Sequence, residues 1–308
     1  MFRYKKIIGI ILVIAIFYFI GNMVVERWDH ISEYDWSPNI LWLLISILIL
    51  FSLHLMSACG WTLLLKMIGV KIEWVRGITI FLLSMFARYI PGGVWSAMGR
   101  LYLCRLEGIP DSRSSMSILL EQAYPVVSAG LVFVMSLLFW SDADSLARVL
   151  PSVFLLPIFI VFLHPKPFLK IMNPVLSWIG KGPIHISLSF KNMLILTSYY
   201  VFYWLMAGIA FYFFIRAFYP LGWYYIPILS GIYAISFVAG YLAFFTPAGL
   251  GIREASLVML LSLFIPTPIA LGVAVLSRLW LISVEIVILV IFLVNRETRK
   301  MAKTAIGW

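Results

Sequence analysis

The sequence predicts an all-α polytopic membrane protein, and three observations support this fold class. The chain has 308 residues, of which 63% are hydrophobic and only 12% are charged. A soluble domain of this size would carry about twice that share of charged residues. Apolar runs of about 20 residues, the length of a helix that crosses a bilayer, recur along the chain. We therefore expect residues 1–308 to form a single integral membrane domain.

Six apolar runs are long enough to be complete transmembrane helices, and two further regions are interrupted. The complete spans are expected at 7–25, 39–65, 115–140, 146–163, 190–218 and 269–294. The interrupted regions, 74–106 and 224–265, each combine an apolar arm, a break rich in Pro and Gly, and a shorter second arm. Irregular backbone at membrane depth is tolerated where it is buried in protein or lines a cavity. We therefore expect two re-entrant helical hairpins.

The distribution of positive charge predicts the orientation of the chain. With the N-terminus inside, 18 of the 23 Lys and Arg fall in cytosolic segments, whereas the outer segments ERWDHISEYDWS and SDADS are acidic in balance. This sorting predicts a multi-pass protein of the cytoplasmic membrane with both termini cytosolic. Residues 164–189 are expected to form a cytosolic loop, either with a short interfacial helix or as a plain connection. The net charge of +10 then reflects topology and anionic lipid headgroups, and no nucleic-acid partner is expected.

Motifs for metal, nucleotide or nucleophilic chemistry are missing from the sequence. The two cysteines and four histidines are scattered and show no metal-ligand spacing. There is no Walker loop, dinucleotide fingerprint or nucleophile elbow. We therefore expect no metal, no cofactor and no catalytic residues.

The two breaks indicate an internal repeat. The first break is Pro91-Gly92-Gly93 and the second is Pro247-Ala248-Gly249-Leu250-Gly251, so the prolines lie 156 residues apart. Each break precedes a short arm and then a long span with a polar residue 31 positions after the proline, Gln122 in the first half and Arg278 in the second. The repeats are expected at about 39–140 and 190–294. Three spans separate the hairpins, which predicts that the repeats are inverted, as in many transporters.

A break at membrane depth is also a plausible place for an anion. Free N–H groups and the helix dipole at the start of the second arm attract negative charge, and Pro and Gly suit such a start. Three arginines lie in or after the second arms: Arg100, Arg253 and Arg278. An arginine near mid-bilayer should face a cavity or a partner, so Glu121, Glu254 and Glu285 are candidate ion-pair partners. The alternatives are positive-inside anchors for Arg100, a structural ion pair for Arg278, and ordinary kinks for the breaks.

Around these residues the sequence resembles the lysylphosphatidylglycerol synthase transmembrane-region family, whose members are flippase-like integral membrane proteins. The resemblance is carried by IPGGVWSAMGRLYL, by FFTPAGLGIREASLVMLL and by AVLSRLWLISVEIVILVIFLV. The chain departs from the family pattern at Trp95-Ser96-Ala97, where Gly-Gly-Asp/Glu is common, and at Gln122, where Arg is common. The resemblance implies lipid translocation. It does not imply aminoacyl transfer, because the soluble transferase domain of larger members has no counterpart in this sequence.

Three functional hypotheses remain open from the sequence. The leading one is a lipid transporter of the flippase type, which moves an anionic phospholipid, an aminoacylated lipid or a polyprenyl-phosphate carrier by alternating access. In this hypothesis the lipid phosphate binds between the two second arms, with Arg100, Arg253 and Arg278 as its contacts. The second is a membrane-embedded transferase acting on a lipid phosphate. The third is a non-transporting scaffold for enzymes of envelope lipid or glycan synthesis.

Overall fold

The structure is a computed structural model that describes residues 34, 36–89, 95–141, 146–147, 149, 170, 189–243, 249 and 251–294. Within these residues the protein contains eight α-helices and no strand, which confirms the predicted all-α class. In chain order the helices are α1 Ile40–Met67, α2 Trp74–Met85, α3 Trp95–Leu106, α4 Asp111–Ser136, α5 Phe190–Arg216, α6 Ile226–Leu242, α7 Ile252–Leu261 and α8 Thr267–Val294.

Five of the described helical segments are long and apolar enough to cross a membrane: Ile40–Met67, Asp111–Phe139, Phe190–Arg216, Trp223–Leu242 and Thr267–Ile291. Four of them coincide with predicted complete spans, and the polytopic prediction is confirmed. The predicted span at 7–25 lies outside the described residues, as does nearly all of the one at 146–163.

The fifth segment, Trp223–Leu242, is the first arm of the second interrupted region. The sequence predicted this region as a re-entrant hairpin and did not include the arm among the complete spans. A helix rises 1.5 Å per residue, so the 20 residues of Trp223–Leu242 reach about 30 Å, the thickness of the hydrocarbon core. The corresponding arm of the first region, α2, has 12 residues and reaches only about 18 Å. The two interrupted regions are therefore unequal in length.

The order of helices repeats in spite of this difference. A long helix, a first arm, a second arm and another long helix follow each other in α1 to α4 and again in α5 to α8. In each half the two arms pack against each other, α2 against α3 and α6 against α7. The second arms are short in both halves, with 12 residues in α3 and 10 in α7.

Helix α5 lies at the centre of the bundle and packs against α1, α4 and α6. Among the described residues, four of the largest fully buried side chains belong to this helix: Trp204, Phe211, Tyr212 and Phe214. Small residues bring its neighbours close. A Cβ atom at Gly208 of α5 would lie 1.8 Å from the Oγ atom of Ser230 on α6. Close backbone approach at small residues is the usual way in which helices associate inside a membrane.

The helix ends follow ordinary local rules. The Asn39 side chain accepts hydrogen bonds from the backbone N–H groups of Leu41 and Trp42 and so caps α1. Gly69 and Gly108 have positive φ angles of 81° and 71° just beyond α1 and α3, where a left-handed residue ends a helix. These turns set the positions at which α2 and α4 begin.

Candidate functional site

The second break brings α7 back against the end of α6 through two glycines. Gly249 has a φ of +68°, and a Cβ atom there would lie 2.4 Å from the carbonyl oxygen of Gly240. Gly251 has a φ of +85° and directly precedes α7. Only glycine fits both the left-handed conformation and the close contact at position 249. Pro247 and, in the first break, Pro91, Gly92 and Gly93 lie outside the described residues.

Glu254 secures the start of α7 and also binds an arginine. Its Oε2 atom accepts a hydrogen bond of 2.8 Å from the backbone N–H of Gly251, which is one of the donors that a helix leaves unsatisfied at its start. Its Oε1 atom lies 2.6 Å from Nε of Arg278 on α8. Both side chains are buried. One carboxylate therefore joins the break, the short arm and the following long helix.

The first half contains a corresponding ion pair between its short arm and its long helix. Nη1 of Arg100 on α3 lies 2.9 Å from Oε2 of Glu121 on α4, and Nε of Arg100 donates to the hydroxyl of Ser84 on α2. The same Glu121 oxygen accepts a hydrogen bond from the Gln122 amide. The guanidinium of Arg100 also lies over the ring of Phe81, 4.3 Å from its centroid. The positive charge of Arg100 is thus balanced by the carboxylate of Glu121.

The two ion pairs have opposite polarity. In the first half the arginine is on the short arm α3 and the carboxylate on the long helix α4, whereas in the second half the carboxylate is on α7 and the arginine on α8. Each pair nevertheless performs the same task, because it fixes a short arm to the long helix that follows it. A buried arginine without a partner would be costly in a membrane.

Arg253 is the buried arginine of the described residues that has no carboxylate. It is the second residue of α7, is only 3% exposed and lies beside Tyr233 of α6. The guanidinium is 5.4 Å from the centroid of the Tyr233 ring, and its Nη2 atom is 3.4 Å from the phenol oxygen. The Nε atom donates no hydrogen bond within the described residues. A neutral phenol does not balance the positive charge, so Arg253 retains the capacity to bind an anion.

The last turn of α6 lies directly against Arg253. Gly240 lies against Arg253, because a Cβ atom at Gly240 would be 2.7 Å from the Cβ atom of Arg253. This contact holds the last turn of α6 against the start of α7.

Glu285, the third candidate carboxylate, lies against α1. Its Oε1 atom is 3.7 Å from Nε2 of His54, and the Nδ1 atom of His54 is 2.9 Å from the carbonyl oxygen of Leu50. Glu285 therefore links α8 to α1, two turns along α8 from Arg278. The sequence contained no signal for His54, which is one polar residue in the apolar run of α1.

Exposed arginines near the first break form ion pairs at the surface. Arg105 at the end of α3 binds Asp111 at the start of α4, and Arg76 at the start of α2 binds Glu107. The carboxylate of Asp111 raises the pKa of the Arg105 guanidinium, and that of Glu107 raises the pKa of Arg76. These pairs hold the turn between α3 and α4 and are separate from the buried arginines.

The fold defines a class of protein, an all-α polytopic membrane protein with buried ion pairs at two broken helical regions. A family model, the lysylphosphatidylglycerol synthase TM region, matches residues 6–290. The chain therefore belongs to this family of lipid-related membrane domains, and the resemblance noted in the sequence is confirmed. No curated protein matches the chain significantly.

Proposed function

We propose that this protein is a lipid transporter of the flippase type, which moves an anionic or phosphate-headed lipid across the cytoplasmic membrane by alternating access. Membership of a lipid-related membrane family supports a lipid substrate. Its cargo is then a phospholipid, an aminoacylated lipid or a polyprenyl-phosphate carrier. Enzymes of envelope synthesis are natural partners for such a transporter.

The observation that supports an anionic headgroup best is Arg253. It is buried, it lies at the start of a helix in a membrane protein, and it has no carboxylate among the described residues. A helix start and an arginine both favour negative charge. Nε of Arg253 donates no hydrogen bond within the described residues, and a phosphate oxygen could accept one from it. The substrate phosphate therefore binds at Arg253 in this proposal.

Arg278 and Arg100 have a different part in the same proposal. Each already holds a carboxylate, so each positions a short arm, and neither needs the phosphate for its own stability. A lipid phosphate at the start of α7 would be attracted chiefly by Arg253, because carboxylates balance the other two charges. Movement of one repeat relative to the other would then open the site to either side of the membrane.

Replacement of Arg253 by alanine tests the proposal. The protein is reconstituted in vesicles that contain fluorescent phosphatidylglycerol, and dithionite measures how fast the outer leaflet exchanges with the inner one. A charge-assisted hydrogen bond to phosphate contributes about 1.5–3 kcal/mol, so Arg253→Ala is expected to lower the rate about tenfold to hundredfold. Arg253→Lys should restore part of the rate, because lysine keeps the charge but loses the planar fork.

Arg216 provides the matched control. It also lies against aromatic rings, with its guanidinium 4.7 Å from the centroid of Trp223, but it is at the last turn of α5 and only half-buried. Arg216→Ala is expected to keep the wild-type rate. Equal rates for wild type and Arg253→Ala, with normal insertion of both, would refute the proposed site.

A further inference from the structure

A second buried polar group lies on the face of α6 that meets Arg253. Tyr233 and Gly240, seven residues apart on α6, both contact Arg253. Positions three and four residues apart lie on the same face of a helix. Ser236 follows Tyr233 by three residues and precedes Gly240 by four, so it belongs to the same face. Ser236 is therefore directed towards the interface with α7.

The hydroxyl of Ser236 is buried and makes no hydrogen bond within the described residues. This is a departure from the usual habit of serine in a membrane helix, where the hydroxyl bonds to a carbonyl one turn earlier. Ser230, on the same helix, does so with Ile226 at 2.8 Å, and Ser277 on α8 does so with Ala274 at 2.7 Å. Nε of Arg253 is orphaned as well. By the spacing along α6, Ser236 lies on the side that meets α7, so two donors without an acceptor among the described residues lie at one interface.

Of the three buried arginines Arg100, Arg253 and Arg278 among the described residues, two are paired with a carboxylate, and the remaining buried carboxylate, Glu285, lies beside His54 of α1. Arg100 is compensated by Glu121, and Arg278 is compensated by Glu254. Among the residues that the structure describes, Arg253 has only the phenol of Tyr233 within reach. A ligand with one negative charge would neutralise it. A second negative charge would be buried without a counter-charge, which is costly.

We propose that Ser236 is a ligand-binding residue, whose hydroxyl donates together with Nε of Arg253 to an anion that carries a single negative charge. A phosphodiester has this charge at neutral pH, whereas a phosphomonoester carries close to two. The inference rests on the proposed function, because it assigns a further contact and a charge to the same site. It extends that function by making the site selective between headgroups of different charge.

Calorimetric titration of the purified, full-length protein in detergent tests this proposal at about pH 8, where a phosphomonoester is mostly doubly charged. Three probes are used: dioctanoyl phosphatidylglycerol, dioctanoyl phosphatidate, and dimethyl phosphate, which has the same charged group without acyl chains. Phosphatidylglycerol is expected to bind at least tenfold more tightly than phosphatidate. Dimethyl phosphate is expected to bind much more weakly than either lipid, because a lipid headgroup is the proposed source of the anion.

Two variants separate a ligand contact from a packing contact. Ser236→Ala is expected to weaken phosphatidylglycerol binding about tenfold, the usual effect of losing a hydrogen bond to a charged group. Ser236→Cys, which is nearly isosteric but a weak donor, should show a similar loss. Ser277→Ala removes an equally buried hydroxyl that is already bonded within its own helix, and it should bind like the wild type.

Unchanged binding by Ser236→Ala or full binding by Ser236→Cys would refute the role of Ser236 while leaving the proposed function intact. Phosphatidate that binds as tightly as phosphatidylglycerol would refute the single charge, and dimethyl phosphate that binds as tightly as phosphatidylglycerol would refute the lipid source. A wild-type protein that binds none of the three probes would contradict the anion site itself, and with it both proposals.

Discussion

At the residue scale, the three buried arginines differ in what satisfies their guanidinium groups. Arg100 has a carboxylate, a hydroxyl and two aromatic rings around it, and Arg278 has the carboxylate of Glu254. Arg253 has a phenol alone among the described residues. Of the three buried arginines, two are therefore paired with a carboxylate and one is not, among the described residues.

Because Glu254 and Arg278 form a buried ion pair, the losses of stability caused by replacing each one should not add up in the double variant. Glu254→Gln keeps an oxygen for the Gly251 N–H but leaves Arg278 without its carboxylate, and Arg278→Met leaves the carboxylate uncompensated. Breaking a buried pair costs about 3–5 kcal/mol, whereas replacing both partners is often nearly neutral. We expect each single variant to lower the midpoint of thermal unfolding in detergent, and the double variant to recover most of the loss.

An exposed pair serves as the control for this double-mutant cycle. Arg105→Gln removes the surface contact with Asp111, in which both side chains are about half exposed, and should leave the midpoint unchanged. Strictly additive losses in the Glu254 and Arg278 cycle would mean that the two side chains do not depend on each other.

At the element scale, the second break is held by backbone contacts as much as by side chains. The chain leaves α6 at Leu242, returns past Gly240 at Gly249, and begins α7 after Gly251. The Glu254 side chain then closes the first turn of α7 on the backbone of Gly251. Arg253 is placed on this turn, so the position of its guanidinium depends on the geometry of the break.

Gly249→Ala is therefore expected to be severely destabilising. Alanine in a left-handed conformation costs about 1–2 kcal/mol, and its Cβ atom would meet the carbonyl of Gly240, which cannot move aside as a flexible side chain would. The midpoint of thermal unfolding and the binding of phosphatidylglycerol should both fall.

Gly99→Ala is the control, because it lies within α3 with no atom within 4 Å of the added methyl, and alanine favours a helix by about 0.5–1 kcal/mol. A Gly249→Ala protein as stable as the wild type would contradict this account of the break.

Much of the fold could be predicted from the sequence, because hydropathy depends only on local composition. The four complete spans among the described residues were found within a few positions, and both interrupted regions contain two helices. The break of the second region was expected at Pro247, and the first arm, Ile226–Leu242, accordingly ends before that residue. The sequence predicted a re-entrant hairpin, so it was not foreseen that this arm is long enough to cross the membrane on its own.

The candidate site was predictable as a set of charges but not as a set of contacts. Arginine in an apolar span is conspicuous, and so are the glutamates. Which of them pair depends on how α3 meets α4 and how α7 meets α8. Tyr233 and Ser236 carry no signal at all, since an aromatic residue and a serine are ordinary in a membrane helix. Tyr233 becomes notable only because its phenol lies beside Arg253, and Ser236 only because its buried hydroxyl has no partner among the described residues.

At the scale of the whole molecule, the predicted orientation assigns a side of the membrane to each half. Ser37, before α1, and Ser141, after α4, are exposed and lie in segments expected outside, whereas Ser112, at the start of α4, is exposed and expected in the cytosol. Single cysteines at 37 and 141 should react with a membrane-impermeant maleimide in intact cells, and one at 112 should react only after permeabilisation. The native Cys59 and Cys104 are replaced beforehand. Labelling of position 112 from outside would reverse the assigned orientation.

The two ion pairs also have a consequence for how the protein is made. Translation delivers Glu254 to the membrane before Arg278, so the carboxylate is already present when the helix that carries the arginine enters. Insertion of that arginine costs about 2.5–3.5 kcal/mol, and each of the many Leu, Ile and Val residues around it returns about 0.3–0.6 kcal/mol. In the first half the order is reversed, because Arg100 emerges first, in a short arm that is too brief to cross alone. Arg100 remains unpaired until α4 is made, just as Glu254 remains unpaired until α8 is made. Each half therefore completes its ion pair with its own long helix, and the halves differ in whether the arginine or the carboxylate is made first.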